Sequence, residues 1–269
     1  MTPPVEYERM RPRQIVEARE KFPAAYLPLG TLEWHGLHNP VGLDGLKAHA
    51  LAVRCAQAGG GVVFPTLYYG ESREEGLMDI GAADRDGILE HMRLPLSNFA
   101  PGYMRYSPQQ QYENYQRLLL HCMFEIQSLG FKVIVLVPGH YPLIDHAWAA
   151  CSMFHQARFN NRRAQAICWS FTGFELVREA FPEAGDHAGF WETSLMLALL
   201  PDLVDLNDLP PEERDRPVGT LTSRPVHESN AEYGERAVRL IVERAVAQVR
   251  DRIENRDKYY PHGLRLHAQ

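Results

Sequence analysis

Short apolar runs separated by longer amphipathic stretches constrain this chain more than any other feature. Ala24–Leu29 (AAYLPL), Val62–Pro65 (VVFP), Val133–Val137 (VIVLV) and Ala164–Trp169 (AQAICW) are compact and of strand length. Continuous apolar runs fit strands covered on both faces, which is the situation in a parallel sheet. Between them the apolar residues recur at helical spacing. Asp44–Gly59 keeps Leu46, Leu51, Val53 and Cys55 near one face and ends in three glycines. Gln109–Leu129 carries Tyr115, Leu118, Leu119, Cys122, Met123 and Ile126 and stops at Gly130. Ala188–Leu200 and Asn230–Ile253 read as two further helices. Strand and helix in alternation predict an α/β fold in three layers, α/β/α, with a mainly parallel central sheet.

Nothing divides the chain, so its 269 residues are expected to form one domain, 1–269. The Pro/Asp/Glu-rich stretch Asp205–Arg216 reads as a surface loop. Leu67–Pro108 is the least regular part, and a long irregular segment in a compact α/β domain points to a lid or an oligomer contact. A hydrophobic share of 45% is too high for a disordered chain. A net charge of −6 argues against a nucleic-acid partner. No run reaches the roughly 18 apolar residues of a membrane span, and Met1–Arg13 lacks the apolar stretch of a signal peptide. Four cysteines, Cys55, Cys122, Cys151 and Cys168, stand singly in apolar surroundings. Reduced core thiols and a cytoplasmic location are expected from that pattern.

In open α/β sheets the ligand lies beyond the carboxyl ends of the strands. After the first apolar run comes GTLEWHGLHNP, residues 30–40, and Asp44 opens the next helix. After the third comes Pro138-Gly139-His140-Tyr141, and the helix beginning around Ala188 is preceded by Asp186-His187 and carries Glu192. Carboxylates and imidazoles are thus gathered at strand ends and helix starts, a mixture that suits zinc or manganese. Glu33 and His35 are two apart, so in extended backbone they point to one side. The single glycine cluster, Gly59-Gly60-Gly61, precedes a strand and lacks the spacing of a nucleotide fingerprint. Ser152 and Ser170 lack a nucleophile elbow, and Cys151 reads as core. His38 and His49 are expected to be solvated or to lie behind the ligands.

The segment LPLGTLEWHGLHNPVGLD resembles the opening signature PxGSxEQHGxHLPxxTD of the creatininase (creatinine amidohydrolase) family. VLVPGHY resembles its second block, where a strand runs into NGH, and DHAGFWETSLMLALLPDLVDL resembles its third, where HxG precedes ETS. Three ordered blocks span most of residues 20–208. The resemblance implies a three-layer α/β/α domain, two divalent ions per chain (zinc, manganese or both) and a homo-oligomer, often a hexamer. It implies Glu33 on one ion, His35 on the other, Asp44 bridging, His140 joining Glu33, and His187 as the proton relay with Asp186 orienting it. In creatininase a glutamate two positions after the second histidine is a further ligand, whereas Pro142 stands there in this chain. Glu192 is the expected replacement, with Asp145 behind it. Trp34 replaces the usual glutamine, and NFAPGYMRY (Asn98–Tyr106) replaces HxxFPGT. Trp34, Tyr141 and Tyr103 are therefore candidates for the substrate pocket.

These features together imply a metal-dependent hydrolase whose activated water opens a small cyclic amide or related carbonyl compound. One alternative is ring opening of a cyclic polyhydroxy ketone of the 3-dehydro-scyllo-inosose type. Another is a metal-binding oligomeric scaffold without turnover.

Overall fold

The computed structural model describes residues 4–70, 82–100, 102–157 and 166–259. Four parallel strands, β1 (Ala24–Leu29), β2 (Val62–Val63), β3 (Val133–Pro138) and β4 (Ile167–Ser170), lie in the order β2-β1-β3-β4. Every residue of β1 and β3 is buried, as strands covered on both faces require. Alternate residues serve opposite faces. Tyr26, Val133, Val135 and Val137 join Leu51, Trp191, Leu195 and Ile241 on one side. Ala25, Leu27, Ile134 and Leu136 join Leu119, Met123, Ala147 and Phe154 on the other.

The helices that cover the first face are α2 (Leu43–Gly59), α7 (Phe190–Leu199) and α8 (Ala231–Glu254). The second face is covered by α1 (Pro12–Lys21), α4 (Pro108–Ser128) and α5 (Leu143–Gln156). Short helices α3 (Arg85–Met92) and α6 (Phe174–Val177) complete the set among the described residues. The expected three-layer α/β/α architecture is the one observed. The start of α4 shows how local chemistry sets an element's end. Ser107 Oγ accepts from the Gln110 backbone N–H, the Gln110 side chain accepts from the Ser107 N–H, and Pro108 occupies the first helical position, where its missing donor costs nothing.

Three expectations about elements need correction. The second strand is two residues long instead of four, although the Phe64 and Leu67 N–H groups still bond the Tyr26 and Pro28 carbonyls that face it. Pro28 offers no N–H there and the ladder lapses, resuming only at the Leu29–Leu67 bridge. The fourth strand starts at Ile167, and Ala164 and Gln165 lie outside the described residues. Helices α1 and α5 were not anticipated, and α3 lies inside the stretch read as irregular, of which 71–81 and 101 lie outside the described residues. Asp205–Arg216 is a chain of short 3₁₀ turns, in keeping with a surface loop.

Candidate metal centre

The site lies at the carboxyl ends of β1 and β3, where two glycines let α2 come close. A Cβ on Gly30 would stand 2.3 Å from the Gly45 nitrogen, and one on Gly139 would stand 1.9 Å from the Asp44 carbonyl oxygen. Neither position admits any other residue while α2 stays in place. That close approach brings Asp44, in the first turn of α2, between the loop after β1 and the loop after β3.

Glu33, His35, Asp44, His140 and His187 converge there. Their ligand atoms form two groups, Glu33/His35/His187 and Glu33/Asp44/His140, each within 4.8 Å. Glu33 Oε1 is 2.7 Å from His140 Nδ1, 3.7 Å from His35 Nε2 and 3.8 Å from His187 Nδ1. Asp44 divides its carboxylate, with Oδ1 3.4 Å from His35 Nε2 and Oδ2 3.4 Å from His140 Nδ1. The His35 ring is fixed from behind, because Nδ1 lies 3.1 Å from the Glu33 carbonyl and donates to it when Nε2 carries the lone pair. His187 is set the other way round, Nε2 lying 3.1 Å from the Trp34 carbonyl and Nδ1 facing Glu33.

The donor set fits a divalent cation. His35 Nε2 and Asp44 Oδ2 are buried without a hydrogen bond of good geometry, a costly state that a bound cation relieves. Mixed imidazole and carboxylate donors suit zinc and manganese. The electrostatics show a pocket that attracts positive charge, with a proton on His35 taking the place a cation would fill. Burial would lower the His35 pKa, but the Asp44 and Glu33 carboxylates outweigh it and lift it to about 9. Burial would raise the Asp44 carboxyl, yet His35 and His140 hold it well below its ordinary value. Burial together with His35 pushes His187 below the usual histidine range.

Above the donors is a cavity of about 420 Å³ whose lining includes Glu33, Asp44, His140, Tyr141, His187 and Glu192. Tyr141 meets Phe174 edge to face, and burial raises its phenol well above the ordinary range. Trp34 also lines the cavity, but its ring is packed. Nε1 donates to the Val218 carbonyl at 2.8 Å, and the indole stacks on His91. Its contribution beyond packing is the carbonyl that holds His187.

Four expected roles differ from the structure. Glu192 stands outside both donor groups, because one carboxylate oxygen pairs with the buried Lys47 ammonium and the other accepts from the Ala188 N–H at 2.8 Å. Asp145 is exposed on α5. Asp186 does not orient His187. Its two oxygens accept from the Trp191 and Glu192 N–H groups at 2.8 and 3.0 Å and so cap α7. Tyr103 is 59% exposed and does not line the cavity. Of the two readings of His38, solvated or behind the ligands, the first is excluded, since it is buried and bonded to Thr193 and Asn39, and His49 is held by Thr66 and Glu6. Lys47 is the residue that sequence reasoning missed. A lysine three places after Asp44, on the apolar face of α2, was the available signal.

Residues 8–249 match the creatininase family, described as creatinine amidohydrolase. The creatinine amidohydrolase of Pseudomonas putida is 28% identical over 203 residues, covering 69% of this chain and 68% of the relative. A mutant creatininase complexed with creatine superposes with a TM-score of 0.64 at 23% identity, covering 93% of this chain and 98% of that one. A structure described as creatininase Mn gives 0.63 at 22% identity, with 94% and 99% covered. With its site built from the family's three sequence blocks and the match spanning nearly the whole chain, the protein belongs to the creatininase family, a family of hydrolases.

Proposed function

We propose that this chain is a metal-dependent hydrolase that opens a small, compact cyclic amide. The observation that carries this reading is the divided Asp44 carboxylate, one oxygen towards His35 and the other towards His140, with two of these buried atoms otherwise unsatisfied. Glu33, Asp44 and His140 would hold one cation, and His35 with Glu33 and Asp44 a second. A Zn–Zn form and a manganese form are described for solved creatininases of the same fold. A divalent cation in this site supplies acidity to a bound water, towards a pKa of about 7, and polarisation to a substrate carbonyl.

The chain's own residues account for the proton. Burial and His35 hold the His187 pKa below the usual histidine range, which favours the neutral ring. Its Nε2–H is committed to the Trp34 carbonyl, leaving Nδ1 as the acceptor. Water adds its oxygen to the carbonyl carbon, His187 Nδ1 takes the proton released, and the ring C–N bond breaks as that proton passes to the leaving nitrogen. The cavity wall beyond the donors is largely apolar, with Ala82, Ala83, Ile88, Pro142 and Leu221. A polyhydroxylated ring finds few partners there. Thr220 donates to the Pro217 carbonyl, and one oxygen of Asp84 accepts from the Gly219 N–H. This favours the amide over the keto-inositol reading.

We also propose a homo-oligomer, supported by the large apolar side chains left exposed on α4 and α5, among them Leu118, Trp148 and Met153. Light scattering on the purified protein tests it, and a monomer at all concentrations refutes it. Elemental analysis of protein purified without chelator tests the metal. About two divalent ions per chain are expected, together with hydrolysis among a panel of cyclic amides. Protein that binds neither Mn²⁺ nor Zn²⁺ refutes the proposal.

A further inference from the structure

Lys47 is buried, 3% exposed, one helical turn beyond Asp44 on α2. Its ammonium pairs with Glu192 Oε1 and lies 5.7 Å from the centroid of the Tyr141 ring. Burial would lower its pKa, but Glu192 and Asp44 reverse that and keep it charged. A buried ion pair costs desolvation on both sides and is weak evidence for stability, so a reason for its presence lies in what it positions.

Glu192 is anchored at both oxygens. Oε1 meets Lys47, and Oε2 accepts from the backbone N–H of Ala188, the residue that follows His187. Ala188 has φ of +51°, a left-handed conformation unusual for a residue with a side chain, and it is held there by its surroundings. Asp186, on the other side of His187, accepts from the Trp191 and Glu192 N–H groups. The turn 186–192 is therefore closed by two carboxylates that bond across it in opposite directions. His187, the second residue of this turn, is pinned further by backbone bonds with Leu221, 3.0 Å from its N–H and 2.9 Å to its carbonyl. Lys47 is the tie between this closed turn and α2, the helix that carries Asp44.

We infer that Lys47 is a positioning residue: acting through Glu192 and the strained Ala188 backbone, it fixes the His187 imidazole relative to the Asp44 helix, and Glu192 serves as that anchor and not as a metal ligand. This rests on the proposed role of His187 as proton carrier. It assigns Glu192 to the protein's own lysine, so the place of the carboxylate missing at Pro142 is not filled from the ETS block.

The test reads His187 directly. In metal-free protein labelled with ¹⁵N at histidine, two-bond correlations report which ring nitrogen carries the proton, and a His187→Gln spectrum assigns the signals. The native protein is expected to show one fixed tautomer with the proton on Nε2. In Lys47→Met that pattern is expected to be lost, the two nitrogens moving towards a common average. Mn²⁺ titration followed by electron paramagnetic resonance gives the second readout. Glu192→Gln is expected to bind the same number of Mn²⁺ ions per chain as the native protein. Should Lys47→Met fail to fold, the Lys47→Met/Glu192→Gln pair removes both charges at once and is read in the same way. An unchanged His187 pattern in these lysine variants, or loss of a bound Mn²⁺ in Glu192→Gln, overturns the inference. Native protein that binds no Mn²⁺ counts against the hydrolase reading instead, and the ring-nitrogen comparison still decides the part played by Lys47.

Discussion

Gly139 offers the sharpest test of how the fold builds this site. Its φ is not in the left-handed region, so alanine there brings no backbone strain. The difficulty is space alone, because the added Cβ stands 1.9 Å from the Asp44 carbonyl oxygen. To reach the 3.4 Å of ordinary contact, the first turn of α2 or the end of β3 must move by about 1.5 Å. Overpacking of this kind costs about 1–3 kcal/mol, and each kcal/mol lowers Tm by roughly 2–4 °C in a chain of this size. The effect on the metal is larger than the effect on the fold. Ligand distances tolerate only about 0.2 Å, so Asp44 and His140 no longer address the same ion. Since loss of a supporting contact alone weakens binding about 10–100-fold, a loss of at least about 100-fold is expected from a displaced ligand.

Thermal melting with and without Mn²⁺ separates the two effects. At a free Mn²⁺ concentration 1,000 times the native Kd, binding stabilises the native protein by about 4 kcal/mol, but a variant bound 100-fold more weakly by only about 1.4 kcal/mol. Gly42→Ala is the control, two residues before Asp44, where the nearest atom to an added Cβ is 3.6 Å away. It should keep the native metal response. If Gly139→Ala also keeps the full Mn²⁺-induced rise in Tm, close approach of α2 is not what sets the ligands.

Other consequences follow from groups that are not themselves donors. Burial lowers the His38 pKa from 6.5 to about 4, so between those values the unfolded chain binds a proton that the folded one does not. Stability is then lost as pH falls through that window, by up to about 3 kcal/mol from this group. Urea unfolding at pH 7 and pH 4.5 should show a smaller difference in His38→Gln than in the native protein. Cys55, Cys151 and Cys168 are buried, burial pushing the Cys55 thiol to about 12, whereas Cys122 is half-buried on α4. A thiol reagent should label Cys122 first in the native state and the other three only after denaturation. Leu136→Ala in β3 removes a wholly buried side chain and should cost about 2–5 kcal/mol, measured by urea unfolding.

Most of the layering was legible in the sequence. A strand buried on both faces must be apolar throughout, so β1 and β3 appear as unbroken runs, and α2, α4 and α8 show one-sided patterns long enough to read, while α7 reads as a longer apolar run. Helix α5 was hidden because its buried and exposed faces both carry large apolar residues, Phe154 within and Trp148 without, which blurs the periodicity. Glu33, His35, Asp44 and His140 were legible as well. Strand ends and helix starts are places that topology brings together, and the spacing Glu-x-His selects one side of an extended segment.

What the chain alone could not disclose is the partner of each polar group. Glu192 and Asp186 stand in the same block as His187, yet one reaches back to the Ala188 N–H and across to Lys47, while the other caps α7. Trp34 holds His187 through its carbonyl, an atom that every residue possesses and no motif can mark. The sequence by itself determined the strand and helix runs, the layers and a list of candidate donors that was too long by Glu192, because burial and periodicity are local properties of a chain. Only the tertiary structure decided which carboxylates are left to face the candidate metal centre and which are already taken. That depends on distances of a few ångströms between segments about 145 residues apart, as Lys47 and Glu192 are.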